Sequence, residues 1–173
     1  MFKDLVNKRR TIRKYTDEPL KAEEIECLVA AGLKAPTAKN LDTVELIVVE
    51  NKDTLSDLSE FRETAAGHLK GASCGIAVIS NTEISPEHNR QDACIAATFI
   101  LLQAEDLDIG ACWVNVYNKF DKNGKPADER IREILHIPGK YNVECVIALG
   151  YKAEEPRNKK EKNFKEDVHY EKY

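Results

Sequence analysis

The chain has 173 residues, 42% hydrophobic and 32% charged, with a formal net charge of −4 at pH 7 and a pI of about 5.7. That length makes a single domain whose core needs neither disulfides nor metals, and the acidic balance excludes a general nucleic-acid binder, which carries a basic face. No apolar run approaches the roughly 18 residues of a membrane span, and the opening MFKDLVNKRR puts charge where a signal peptide has its apolar block, so a cytoplasmic location is expected.

In chain order, a first helix is expected over residues 2–10, where Phe2, Leu5 and Val6 share a face. Pro19 disfavours helical backbone at Glu18 and separates it from a second helix over residues 22–33. In that helix Ile25, Leu28, Val29 and Leu33 form one apolar stripe, closed by Gly32 and Pro36. VELIVV, residues 44–49, is short and β-branched and reads as a strand. Residues 51–63 read as a helix through Leu55, Leu58 and Phe61; Gly67, Gly71 and Gly75 bracket a looser connection, and GIAVIS is a second buried strand. Ser85-Pro86 has the chemistry of a helix start. The helix it opens, residues 87–107, is apolar nearly all round through IAATFILLQA, which places it at the centre of a domain or of a dimer. Gly110 is expected to end it. ACWVNV is a third strand, 121–124 a turn, 128–136 a short helix carrying Ile131, Ile134 and Leu135, and VECVIALGY a fourth strand. Residues 152–173 are almost free of apolar side chains; such a segment is disordered alone unless it is an arm that wraps a partner subunit. The expected fold class is α+β, one domain over residues 1–173 with a small mixed, mostly antiparallel sheet packed by helices.

The five cysteines, Cys27, Cys74, Cys94, Cys112 and Cys145, are odd in number, widely spaced and lack a C-x-x-C pair, so buried free thiols are expected. His68, His88, His136 and His169 show no H-E-x-x-H spacing, and no metal site is expected. No G-x-G, G-K-[ST] or G-x-S-x-G is present, which removes the dinucleotide fingerprint, the P-loop and the hydrolase elbow. The paired carboxylates of AEEIE and AEEP read as solvated charge. With no self-contained catalytic set in view, a borrowed cofactor is the economical route to chemistry.

The exception in this acidic chain is NKRRTIRKY, residues 7–15, with five basic residues between Lys8 and Lys14. Arg9, Arg10 and Arg13 with the Thr11 hydroxyl suit a phosphate, which guanidinium groups grip bidentately. The same cations also suit a solvated helix end, where they complement the dipole. A second basic island, Arg157, Lys159, Lys160, Lys162 and Lys165, shifts the balance toward a shared anion.

The succession KRRTIRKYTDEPL, APTAKN, QDACIAATFILLQAEDLDIGACWV, VIALGY and KKEKNFKEDVHYEKY resembles the nitroreductase family of FMN-dependent oxidoreductases over essentially the whole chain. The resemblance implies an α+β fold, a homodimer with FMN at the subunit interface, and ping-pong transfer of electrons from NAD(P)H to nitroaromatics, quinones or related acceptors. It implies no catalytic side chain, because the flavin carries the chemistry. Arg9, Arg10, Thr11 and Arg13 match the family's first FMN motif, with Arg9 and Thr11 at the phosphate and ribityl chain and Arg13 at the pyrimidine edge or phosphate. Pro36, Thr37 and Asn40 match a loop that reaches the isoalloxazine from the neighbouring subunit. Trp113, Val114 and Asn115 match the segment beside the flavin ring, and Lys159 lies where a second phosphate-binding cation is placed.

Two residues depart from the family pattern. Asp42 stands where a flavin-contacting glutamine is common, and Glu161 where an arginine usually meets the phosphate. They motivate the alternative of a non-catalytic flavin- or nucleotide-binding protein that keeps the family's fold. A third reading within the enzyme class is a specialised relative such as a reductive dehalogenase or a flavin-fragmenting enzyme, for which YNKFDKNGK and the region around His68 are the candidate lid.

Overall fold

Strands β2 (Cys74–Asn81) and β4 (Tyr141–Tyr151) read as nearly continuous apolar runs because both of their faces are covered. Successive side chains of a strand point to opposite faces. Accordingly Ile76, Val78, Cys145, Ile147 and Leu149 enter one core, whereas Ala77, Ile79, Val146 and Ala148 enter the other. Flanking strands β1 (Val44–Val49) and β3 (Ile109–Asn115) complete a four-stranded sheet in the order β1-β2-β4-β3. Every pairing of these strands is antiparallel. The one parallel pairing among the described residues is the isolated bridge Thr11↔Ala111, so the expected mixed character shrinks to a single residue pair. The computed structural model describes residues 2–156, 158 and 163–173.

Helices α2 (Ala22–Leu33) and α4 (Asn89–Asp106) cover one face of the sheet, and α3 (Lys52–Leu58) and α5 (Ala127–Leu135) cover the other. Short helices α1 (Phe2–Lys8) and α6 (Phe164–Asp167) lie toward the chain ends. The inner face of α4 is rich in alanine, with Ala93, Ala96, Ala97 and Ala104 buried, which lets it lie close on the sheet. Its outer face carries Ile95 and Phe99, both more than a third exposed. The sheet has a bulge: Val78 pairs with Cys145 and Ile79 with Val143, leaving Glu144 as the extra residue. That extra residue lets Val143 and Val146 face the same core although three apart, and it aims the buried Glu144 carboxylate at Arg90, 2.9 Å away.

Several expected boundaries move. The helix expected over residues 51–63 stops at Leu58, and Phe61 is buried from a turn beyond it. The central helix starts at Asn89, because the Ser85 carbonyl accepts the N–H groups of His88 and Asn89 in a preceding turn. It ends at Asp106, and left-handed Asp108, φ 57°, turns the chain beyond it; Gly110, the expected stop, lies inside β3, and Gly75 likewise lies inside β2. Of the cysteines, Cys74, Cys112 and Cys145 are buried, but Cys27 is exposed on the outer side of α2 and Cys94 is only half-buried. Among the described residues no helix is long and apolar enough to cross a membrane.

Candidate cofactor site

The cationic segment is held by backbone pairing and by two glycines. Ile12 N–H donates to the Ala111 carbonyl at 3.0 Å on the outer edge of β3, and the chain then crosses to the end of β4, where Thr16 N–H reaches the Tyr151 carbonyl at 2.9 Å. Gly110 and Gly150 are register partners in the sheet. A Cβ on Gly110 would stand 2.8 Å from Cγ2 of Ile12, and one on Gly150 would stand 2.9 Å from Cβ of Tyr15. Only two adjacent glycines leave room for this crossing. Ile12 is buried, worth about 1.5–3 kcal/mol of hydrophobic stabilisation, and its neighbours Thr11 and Arg13 consequently face outward. The Tyr15 hydroxyl donates to the Ile12 carbonyl at 2.7 Å and closes the turn.

This arrangement opens a cleft of about 540 Å³ lined by Arg9, Arg10, Thr11, Arg13 and Lys14 on one side and by Glu154, Glu155, Pro156 and Asn158 on the other. One Glu154 carboxylate oxygen accepts the successive backbone N–H groups of Arg13 (2.5 Å) and Lys14 (3.2 Å). The hydrogen bond from Arg13 is the main force holding that carboxyl below its ordinary range, against a desolvation that pushes it up. The His68 imidazole is also depressed, first by burial and then by the positive fields of Arg13 and Arg62, with Glu154 opposing. Its Nε2 is buried without a hydrogen-bond partner.

The cations are not equivalent. Arg10 lines the cleft, but its Nη1 donates to the carbonyls of Asn7 (2.6 Å), Lys8 (3.2 Å) and Arg9 (2.9 Å), the unsatisfied acceptors at the end of α1. It behaves as the helix-end cation that the sequence also allowed.

The other expected site residues fall elsewhere on the chain. Pro36, Thr37 and Asn40 lie in a loop containing a short 3₁₀ turn, Ala38–Asn40, that does not line the cleft. Lys39 and Asn40 are both left-handed, with φ of 56° and 54°. Trp113 packs half-buried on the α4 side of the sheet, Val114 is buried on the opposite side, and the Asn115 carbonyl accepts Nη1 of Arg62 at 3.2 Å. Asp42 is exposed. Lys159, Glu161 and most of the second basic island lie outside the described residues.

Two carboxylates read as solvated charge have definite partners. Glu154 of AEEP clamps the cationic segment, and Glu24 of AEEIE accepts Lys21 N–H at 2.8 Å and the Tyr151 hydroxyl at 2.7 Å. The Lys21 contact is local, three residues away at the start of α2, whereas the contacts of Glu24 with Tyr151 and of Glu154 with Arg13 and Lys14 span 127 positions or more and come only from the fold.

The fold and the cleft thus define an α+β protein with a cationic site built on a glycine-paired sheet edge. The model of the nitroreductase family matches residues 6–66 and 56–151, and the chain belongs to that family. A protein of Archaeoglobus fulgidus, provisionally named NADH dehydrogenase/NAD(P)H nitroreductase, is 36% identical over 157 residues, covering 87% of this chain and 85% of its own length. One of the same name from Methanothermobacter thermautotrophicus is 35% identical over 155 residues, covering 88% and 78%. The solved structure of an FMN-dependent nitroreductase from Clostridium difficile superposes with a TM-score of 0.91 at 40% identity, covering 98% of each chain.

Proposed function

We propose that the chain is an FMN-dependent oxidoreductase that takes electrons from NAD(P)H by a ping-pong mechanism and passes them to nitroaromatic, quinone or similar acceptors. Membership of the nitroreductase family and the names of its relatives support the class of reaction. The observation that carries the reading is the outward display of Thr11 and Arg13 on either side of buried Ile12, next to Arg9, in one cleft. One feature fits a phosphate-bearing cofactor there: guanidinium and hydroxyl donors line the same cleft, the chemistry that recognises a phosphate.

Bound FMN supplies the electron and hydride chemistry, and the protein supplies position and electrostatics. Arg9, Thr11 and Arg13 are the holding residues. Glu154 fixes the backbone from which Arg13 and Lys14 project. Arg10 serves chiefly to finish α1. Residues Pro36, Thr37 and Asn40 act on the flavin of a second subunit in a homodimer, which agrees with their lying off the cleft of their own chain. The exposed Ile95 and Phe99 of α4 and Phe2 and Val6 of α1 offer apolar area to such a partner. The arm beyond residue 151 extends the same interface; its described aromatics Phe164, Tyr170 and Tyr173 are exposed in the single chain.

Purified protein titrated with FMN, followed by NAD(P)H oxidation with a quinone or nitroaromatic acceptor, tests the reading. Tight FMN uptake and acceptor-dependent oxidation are expected. Protein that takes up no FMN overturns the reading, and bound FMN that NAD(P)H cannot reduce leaves a flavin-binding protein without turnover.

A further inference from the structure

The first turn of α4 carries a set of buried polar side chains that no step above uses. Asn89 is buried and its Oδ1 accepts the Ser80 hydroxyl and Nδ2 of Asn142, both at 3.1 Å, so it joins this turn to β2 and β4. One turn on, Asp92 is 2% exposed. Its Oδ1 accepts Ala38 N–H at 2.8 Å and its Oδ2 accepts the hydroxyl of fully buried Thr43 at 2.8 Å. No cation pairs with it among the described residues. A carboxylate removed from water must be hydrogen-bonded or it strongly disfavours the fold. Here the two donors and the position in the first helical turn meet that demand.

One of those donors belongs to the loop of residues 36–40. That loop follows an unfavourable path, with two consecutive non-glycine residues, Lys39 and Asn40, in left-handed backbone. Its internal bonds are short-range: Asn40 N–H to the Thr37 carbonyl at 3.1 Å and Leu41 N–H to the Ala38 carbonyl at 3.2 Å. Such bonds keep a turn tight but do not say where it sits. The bond from Ala38 to Asp92 spans 54 positions of sequence and ties the turn to a helix that Asn89 registers on the sheet.

We propose that Asp92 is the positioning residue of this loop: its buried carboxylate takes Ala38 N–H and the Thr43 hydroxyl, and so presents Pro36, Thr37 and Asn40 in the one pose that meets the flavin of the partner subunit. The role in cofactor binding rests on the function proposed above; the mechanical tie does not. The lock works in both directions, since a displaced loop strands half of a buried carboxylate.

The test compares Asp92→Ala, Asp92→Asn and a control core truncation on the opposite face of the sheet, Ile131→Val. Asp92→Ala is expected to weaken FMN binding about tenfold or more and to change the visible circular dichroism of bound FMN. Asp92→Asn restores both, because its amide oxygen still accepts from Ala38 and its amide N–H can donate to the Thr43 oxygen. Ile131→Val lowers the melting temperature and leaves both flavin readouts in place. Hydrogen exchange at the Ala38 amide, followed without flavin, accelerates in Asp92→Ala and not in Ile131→Val. Unchanged Ala38 exchange in Asp92→Ala overturns the tie. Accelerated exchange with wild-type FMN affinity and dichroism overturns the positioning role. Wild-type protein that binds no FMN overturns the functional reading, while the exchange experiment still judges the tie.

Discussion

The two segments proposed to meet the flavin are held in opposite ways. The cationic segment lies along the sheet edge, fastened by backbone bonds at Ile12 and Thr16, and its side chains press into the space left by Gly110 and Gly150. The loop of residues 36–40 joins no strand, and one buried carboxylate on a neighbouring helix places it. A segment secured by main-chain pairing tolerates changes of its outward side chains, while Ile12 and Tyr15 are fixed by close packing. One secured by a single acceptor depends on that acceptor. The proposed phosphate site thus stands on the robust segment, and the proposed contact with a second subunit stands on the adjustable one.

The largest expected effect comes from removing the room under the first segment. Gly110→Ala places a Cβ 2.8 Å from Ile12 and 3.0 Å from the Gly150 carbonyl oxygen, and backbone cannot yield as a side-chain tip can. A loss of about 2 kcal/mol is expected, seen as a melting temperature lower by about 4–8 °C, together with loss of FMN affinity. Wild-type melting and binding would show that close packing does not set the position of the cations.

Next, the side chains of that segment should separate. Arg9→Ala and Arg13→Ala are expected to weaken FMN binding by about tenfold to a hundredfold, the worth of a charge-assisted hydrogen bond. Arg10→Ala should act mainly on α1, costing about 0.5–1 kcal/mol of helix-end stabilisation. Fluorescence titration of FMN beside thermal melts of the apoprotein distinguishes the two patterns, and equal losses of affinity for all three would break the division.

A smaller effect concerns the clamp. The folded-state pKa of Glu154 lies below its ordinary 4.5, so its contribution to stability is complete above about pH 4.5 and is lost as pH falls through the depressed folded value. Glu154→Gln cannot titrate and should flatten the acid side of the stability profile, measured by denaturant melts between pH 3 and 6 (about the range where carboxylates titrate). An acid limb that keeps its full slope would mean that other carboxylates dominate it.

The smallest expected change extends the cationic side. Glu161→Arg, which replaces a repelling charge next to the phosphate position implied by the resemblance, is expected to tighten FMN binding by a few-fold. An unchanged or weaker affinity in a flavin titration would remove Glu161 from the site.

Much of the fold is legible from local pattern. The β-branched run over residues 44–49 and the apolar stripe of α2 each follow from local pattern, and the strand and helix occur where that pattern puts them. Boundaries drifted where capping competed with pattern: Ser85 forms a turn ahead of α4, and Asp108 rather than a glycine is the left-handed residue beyond its end. The candidate site was partly legible. Arginines around a hydroxyl announce an anion, and the order of motifs announces a family. Arg10 looks like Arg9 and Arg13 in sequence; that its guanidinium finishes the end of α1 is decided by what it touches in the fold.

The sequence by itself determined the α+β alternation, the apolar runs of the inner strands and the concentration of cations near residue 10, because these depend on residues within a few positions of one another. Only the tertiary structure decided that Gly110 and Gly150 lie side by side beneath Ile12 and Tyr15, that Glu154 clamps Arg13 across 141 positions, and that Asp92 holds Ala38 across 54. The reason is physical: periodicity fixes which face of an element is apolar, whereas the partner of a buried charge or the occupant of the space beside a glycine depends on which distant elements the packed sheet brings within a few ångströms.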